Sequence, residues 1–96
     1  MWAHDDDGLP AFFDDVKEAT LANYTFLVPQ LFPSLTSYPT SQHPSGDVRA
    51  GEVLIKQVYD TLVDSPYWNE TLFVLLYDEH GGFYDSQPPP GPGVGS

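Results

Sequence analysis

Six consecutive residues, Leu72 to Tyr77 (LFVLLY), carry no polar group except the tyrosine hydroxyl. Such a run has no face to give to water. Side chains alternate across a strand, so a half-exposed strand shows apolar and polar residues by turns. A strand apolar at every position belongs inside a sheet covered on both faces. The run is also far too short to cross a membrane as a helix. It stops abruptly on Asp78, Glu79 and His80, which are followed by Gly81 and Gly82. An ordinary strand end does not need three ionisable side chains in a row, and a glycine pair opens backbone conformations that other residues reach only at a cost. The segment predicts a buried strand that delivers ionisable groups to a sheet edge, then folds back tightly.

The rest of the chain supplies partners for that strand. Leu9 to Ala19 (LPAFFDDVKEA) reads as a short helix, with Pro10 early and Phe12, Phe13 and Val16 on one side. Tyr24 to Val28 is aromatic and β-branched and predicts a short strand that Pro29 ends. Pro29 to Gly46 holds four prolines and six serines or threonines and reads as a long loop, of the kind that is usually functional or disordered. Asp47 to Ser65 has the strongest helical pattern, with Val48, Leu54 or Ile55, Val58 and Leu62 on one face. Ser45 or Asp47 can cap it, Glu52 stands four residues before Lys56 for an ion pair, and Ser65-Pro66 closes it. Strand, crossover helix, strand predicts one parallel βαβ unit. One unit leaves its sheet edges open, so the fold class expected is α/β, as a portion of a larger domain.

At 96 residues the chain allows at most one small domain. An apolar fraction of 41% and an aromatic fraction of 15% belong to a chain that folds. Residues 1–8 and 86–96, polar at one end and rich in Pro and Gly at the other, are expected to be flexible. Fourteen carboxylates against three Lys and Arg give a net charge of -11. Nucleic acid is excluded as a partner, because phosphate binding needs a basic footprint. Anionic membrane surfaces are disfavoured on the same ground, and a stable transmembrane association lacks a segment to make it. MWAHDDDG is unlike a signal peptide. The absence of cysteine excludes disulfides and thiolate metal sites. Asn23-Tyr24-Thr25 and Asn69-Glu70-Thr71 are glycosylation sequons, a motif common enough by chance to say little.

In open α/β sheets, ligands sit beyond the carboxyl ends of the strands. The loop after the first expected strand carries His43 and Asp47; the loop after the second carries Asp78, Glu79, His80 and Asp85. The topology gathers all six at one end. Oxygen donors with a few imidazoles suit Mg, Ca, Mn or Zn, and metal-assisted phosphoryl chemistry uses such sites. Each residue also has a plainer reading. Asp78-Glu79 could be a solvated strand end before a Gly turn, His43 a capping or packing residue, Asp85 a turn residue. His4 has only Asp5 to Asp7 for company and reads as surface.

The segment DEHGGFYD fits an Asp-Glu pair, a variable residue, Gly-Gly, two variable residues and Asp. With HPSGDV at the helix start, SPYWNETLFVLLYDEHGG, and TLANYTFLVPQ upstream, it resembles the C-terminal part of the catalytic domain of the phosphoesterase family. That family contains non-specific, phosphatidylcholine-cleaving phospholipases C and related acid phosphatases, and the similarity covers roughly residues 18–96. The resemblance implies an alkaline-phosphatase-like three-layer α/β domain that hydrolyses phosphate esters or phospholipids with a hydroxyl nucleophile and a bound divalent metal. It implies Asp78 and Glu79 as metal ligands and His43 as a substrate or metal contact. His80, Asp47 and Asp85 complete the set of candidate catalytic residues. Asp85 is followed by Ser86-Gln87 where the family has His-Val, and the family's acidic-Asn and nucleophile-bearing motifs have no counterpart in this chain. The chain is therefore expected to be a fragment, inactive alone. The alternative is a non-catalytic remnant with at most a weak cation site; an EF-hand-type calcium module is disfavoured by the absence of its spacing.

Overall fold

Leu9, Phe12, Phe13 and Val16 recur at the three- and four-residue spacing of a helix, and the computed structural model forms one there: α1, Leu9–Glu18. The structure describes residues 2–4, 9–33, 38–88, 90 and 91. Before α1 lies a short strand, β1 (Trp2–His4), and after it β2 (Phe26–Val28); the long helix α2 spans Val48–Val63 and a 3-10 turn spans Trp68–Glu70. α1 ends where Ala19 takes a positive φ of 58°. The Ala19 amide then reaches the Val16 carbonyl at 3.4 Å and the Thr20 amide reaches Asp15 at 2.9 Å. This paired closure is the Schellman pattern, usually built on glycine at the left-handed position.

α2 begins at Asp47, whose carboxylate accepts the Arg49 amide at 3.0 Å; of the two proposed caps, Asp47 is the one used. The buried face of α2 is Gly51, Val58 and Leu62. Val48, placed on that face by periodicity, is 52% exposed. The first turn of α2 meets the 40–42 loop through Gly51 instead of meeting α1 through Val48. Glu52 does not pair with Lys56 either; Lys56 reaches forward one turn to Asp60. The core joins the two helices: Leu9, Phe12 and Val16 from α1 pack with Val58 and Leu62 from α2, with Leu27, Leu54, Trp68 and Phe73 at its margin.

The sheet departs from expectation. β2 pairs in parallel with β1, in the register Trp2↔Phe26, Ala3↔Leu27, His4↔Val28. A strand–helix–strand unit with parallel strands is present, but it is β1–α1–β2, one element earlier than predicted. β1 is three residues long beside three aspartates, so its sequence carries no strand signal of its own. His4 is the last residue of β1.

Residues 72–77 have no ladder partner among the described residues. The expected buried strand is instead an open apolar segment, with Leu72 87% and Leu76 82% exposed; only Phe73 reaches the core. α1 and α2 turn their buried faces to each other, and no strand among the described residues stands beside the segment to cover it.

The expectation of flexible ends falls partly on residues 1, 5–8, 89 and 92–96, which lie outside the described residues. Residues 2–4 form β1, and 86–88 are exposed and irregular. Among the described residues no helix is long and apolar enough to cross a membrane.

Candidate functional site

The loop before α2 is pinned at its base. The Gln30 carbonyl accepts the Thr40 and Ser41 amides at 3.0 and 3.1 Å, and the Gln30 amide donates to the Thr40 hydroxyl at 3.1 Å. The chain leaves at Gln30 and returns at Thr40, so Ser41 to Asp47 starts from a fixed point beside α2.

His43 follows. Its Nδ1 lies 3.1 Å from the Pro44 carbonyl. A carbonyl can only accept, so Nδ1 carries a proton, and in the neutral ring it is Nε2 that keeps the lone pair. Asp47 is fully occupied: besides capping α2 it holds the Arg49 guanidinium through contacts of 3.0, 3.1 and 2.7 Å. The hydrogen bonds from Arg49 bring its carboxyl from 3.8 to about 2, and the same pairing raises the Arg49 guanidinium. A carboxylate so depressed is a poor proton acceptor near neutrality.

The second loop is organised by its glycines. Gly81 and Gly82 both take positive φ, 70° and 80°, and the Phe83 amide closes the turn on the His80 carbonyl at 3.3 Å. Two successive left-handed residues are what a tight reversal of this hand needs, and the pair answers why glycine stands at both positions. The turn also takes hold of the side chains before it. The Gly81 amide donates to a Glu79 oxygen and the Gly82 amide to His80 Nδ1, each at 2.8 Å. An amide can only donate here, so His80 carries its proton on Nε2, the opposite arrangement to His43. Asp85 accepts the Gln87 amide at 2.9 Å and behaves as a turn residue. Asp78 is exposed and makes no hydrogen bond or ion pair with any described residue.

Two contacts join the loops. The Tyr77 hydroxyl donates to Gln42 Oε1 at 2.7 Å. A Cβ on Gly81 would come within 2.9 Å of Pro44 Cγ, so the glycine turn lies directly on the His43 loop. The sheet-edge topology that predicted this meeting is not the one that forms, yet the two loops do meet. Gln42 stands in the loop that the sequence places at the site edge; Tyr77 as a site contact and Gly51 are not indicated by motif or spacing. The available signal was Gly51, an unfavourable residue inside a helix whose presence points to close backbone approach.

No group of three His, Asp or Glu side chains converges on a metal-sized point among the described residues. Asp78 and Glu79 can contribute two carboxylates to a cation, and a closed shell needs donors from elsewhere.

The sequence profile of the phosphoesterase family matches residues 2–96. Non-specific phospholipase C4 of Arabidopsis thaliana is 48% identical over 83 residues, covering 86% of this chain and 15% of that protein. Non-specific phospholipase C5 of the same plant is 47% identical over 83 residues, covering 86% and 16%. Phospholipase C B of Mycobacterium tuberculosis (strain ATCC 25618 / H37Rv) is 31% identical over 86 residues, covering 88% and 15%. The chain thus spans about 15% of the length of the curated relatives it matches. No solved structure matches it.

Proposed function

Because this chain belongs to the phosphoesterase family, we propose that it forms one part of a hydrolase acting on phosphate ester bonds, of the phospholipase C or acid phosphatase type. The observation that carries the reading is the meeting of the 78–82 turn with the His43 loop, through Pro44 against Gly81 and Tyr77 on Gln42. The substrate class, a phosphate ester or phospholipid, rests on the relatives being phospholipases C. The complete domain on this reading is alkaline-phosphatase-like, and it covers the apolar 72–77 segment with neighbouring strands.

Within that domain, Asp78 and Glu79 are two of the ligands of a divalent metal. Asp78 is available as it stands; Glu79 has one oxygen on the Gly81 amide and the other open. A bound divalent ion would supply positive charge at a phosphoryl oxygen. The chain needs such charge from somewhere, since it carries -11 overall and its sole arginine is tied to Asp47. His43, with its Nε2 lone pair free, can take a proton or touch metal; His80 presents an Nε2 proton that a phosphate oxygen can accept. Asp47 and Asp85 serve the backbone: one fixes the start of α2, the other the turn after Phe83-Tyr84.

The hydroxyl nucleophile comes from outside these residues. Phosphate-ester hydrolysis is therefore expected from a complete phospholipase C in which this chain replaces the matching segment, and not from the 96 residues alone. Metal-dependent hydrolysis of p-nitrophenyl phosphate or phosphatidylcholine by the hybrid tests the reading. A folded hybrid with no turnover would favour a non-catalytic remnant.

A further inference from the structure

We infer that Gln42 is a positioning residue for the candidate site, a tether that fixes the His43 loop to both α2 and the end of the apolar segment before Asp78. Three independent features of the structure meet at this side chain. Its backbone holds a positive φ of 59°, a conformation that side-chain-bearing residues adopt only when their surroundings enforce it. Both ends of its amide are occupied: Nε2 donates to the Val48 carbonyl at 3.0 Å, and Oε1 accepts the Tyr77 hydroxyl at 2.7 Å. The assignment is forced, because the Val48 carbonyl can only accept, which turns the amide oxygen toward Tyr77. Finally, α2 leaves a gap for it. A Cβ on Gly51 would lie 2.3 Å from Gln42 Cγ and 2.9 Å from Cδ.

The consequence is geometric. His43 is the next residue after Gln42, and Asp78 the next after Tyr77. One amide therefore sets the spacing between the two residues that the family reading places at substrate and metal. The Pro44–Gly81 contact is a packing contact, whereas the Gln42 link is directional at both ends and fixes orientation as well as distance. The word positioning rests on the family reading; the tether itself is tested without catalysis, so failure of one is distinguishable from failure of the other.

The test uses the whole 96-residue chain, with amide hydrogen exchange over residues 40–46 and 78–83 and the His43 imidazole resonances as local readouts. Tyr77→Phe and Gln42→Ala are each expected to lower protection in both loops roughly two- to tenfold, the range of one modest hydrogen bond. The double variant should be no worse than Gln42→Ala, because the Tyr77 link runs through Gln42. Gln42→Glu supplies the readout that general loosening would not give. At neutral pH its carboxylate accepts from Tyr77 but has no proton for Val48. Near pH 3.5 an ordinary glutamic acid, at about 4.3, regains one. Asp47, held at about 2, keeps its charge and its cap there. Protection relative to the unsubstituted chain at the same pH should therefore recover. Unchanged exchange and unchanged His43 resonances in Tyr77→Phe, additive losses in the double variant, or no recovery in Gln42→Glu would each overturn the inference.

Discussion

Gly51→Ala opposes two effects whose balance the structure decides. Gly sits inside α2, three residues from its start, and replacing a helical glycine with alanine ordinarily gains about 1 kcal/mol. Here the new methyl would lie 2.3 Å from Gln42 Cγ and 2.8 Å from the Thr40 carbonyl oxygen. The Gln42 side chain can swing away, at the loss of its bonds to Val48 and Tyr77, about 1 kcal/mol each. The Thr40 carbonyl is less able to move, since the Thr40 amide and hydroxyl are bonded to Gln30 at the loop base. Overpacking against a backbone that does not yield costs about 1–3 kcal/mol. The losses exceed the propensity gain, and we expect net destabilisation of about 2–4 kcal/mol. Urea denaturation followed by circular dichroism measures it, with exchange over residues 40–46 reporting where the damage lies. A variant more stable than the parent by about the propensity increment would refute the close approach on which the loop placement depends.

Ala19→Gly should stabilise the chain by about 0.5–1 kcal/mol, because Ala19 holds a left-handed φ at the end of α1 where glycine carries no Cβ penalty; a thermal midpoint that falls would contradict it. The Asp47 cap predicts an acid limb. A carboxyl lowered from 3.8 to about 2 contributes stability that is complete above 3.8 and lost as pH falls through about 2. Ellipticity of α2 in an Asp47→Asn variant should lack that limb, and an unaltered acid transition would show that Asp47 does not anchor the helix. The open 72–77 segment predicts concentration-dependent self-association, which Leu76→Lys should weaken. Sedimentation velocity showing one concentration-independent monomer for the unsubstituted chain would count against it.

Helices were legible because their signal is local. The spacing of Leu9, Phe12, Phe13 and Val16, and of Leu54, Val58 and Leu62, depends only on residues within a few turns, and both helices form within two residues of their expected bounds. The sheet was legible in kind and not in partner. Strand pairing is a choice among distant segments, and nothing in Trp2-Ala3-His4 announced that it would take the edge of β2. The apolar run reads as a buried strand, yet it is exposed here, because no strand among the described residues pairs beside it. At the site, Gly81-Gly82 was readable because a left-handed pair leaves so few residue choices. The Asp47–Arg49 pairing and the Gln42–Tyr77 link were not, since polar side chains two or thirty-five residues apart give no periodic trace.

The central claim is that the DEHGG turn brings a metal-binding carboxylate to a phosphate ester. Asp78→Asn in a complete phospholipase C carrying this segment tests it most directly. The substitution keeps the shape and removes the charge of a side chain that supports no other described residue, so folding by circular dichroism should be unchanged. Loss of a ligand that polarises a phosphoryl oxygen should lower kcat by about two to three orders of magnitude, equivalent to several kcal/mol of transition-state stabilisation, and reduce bound metal measured on the same sample. Turnover and metal stoichiometry both equal to the parent's would remove Asp78 from the site and contradict the account.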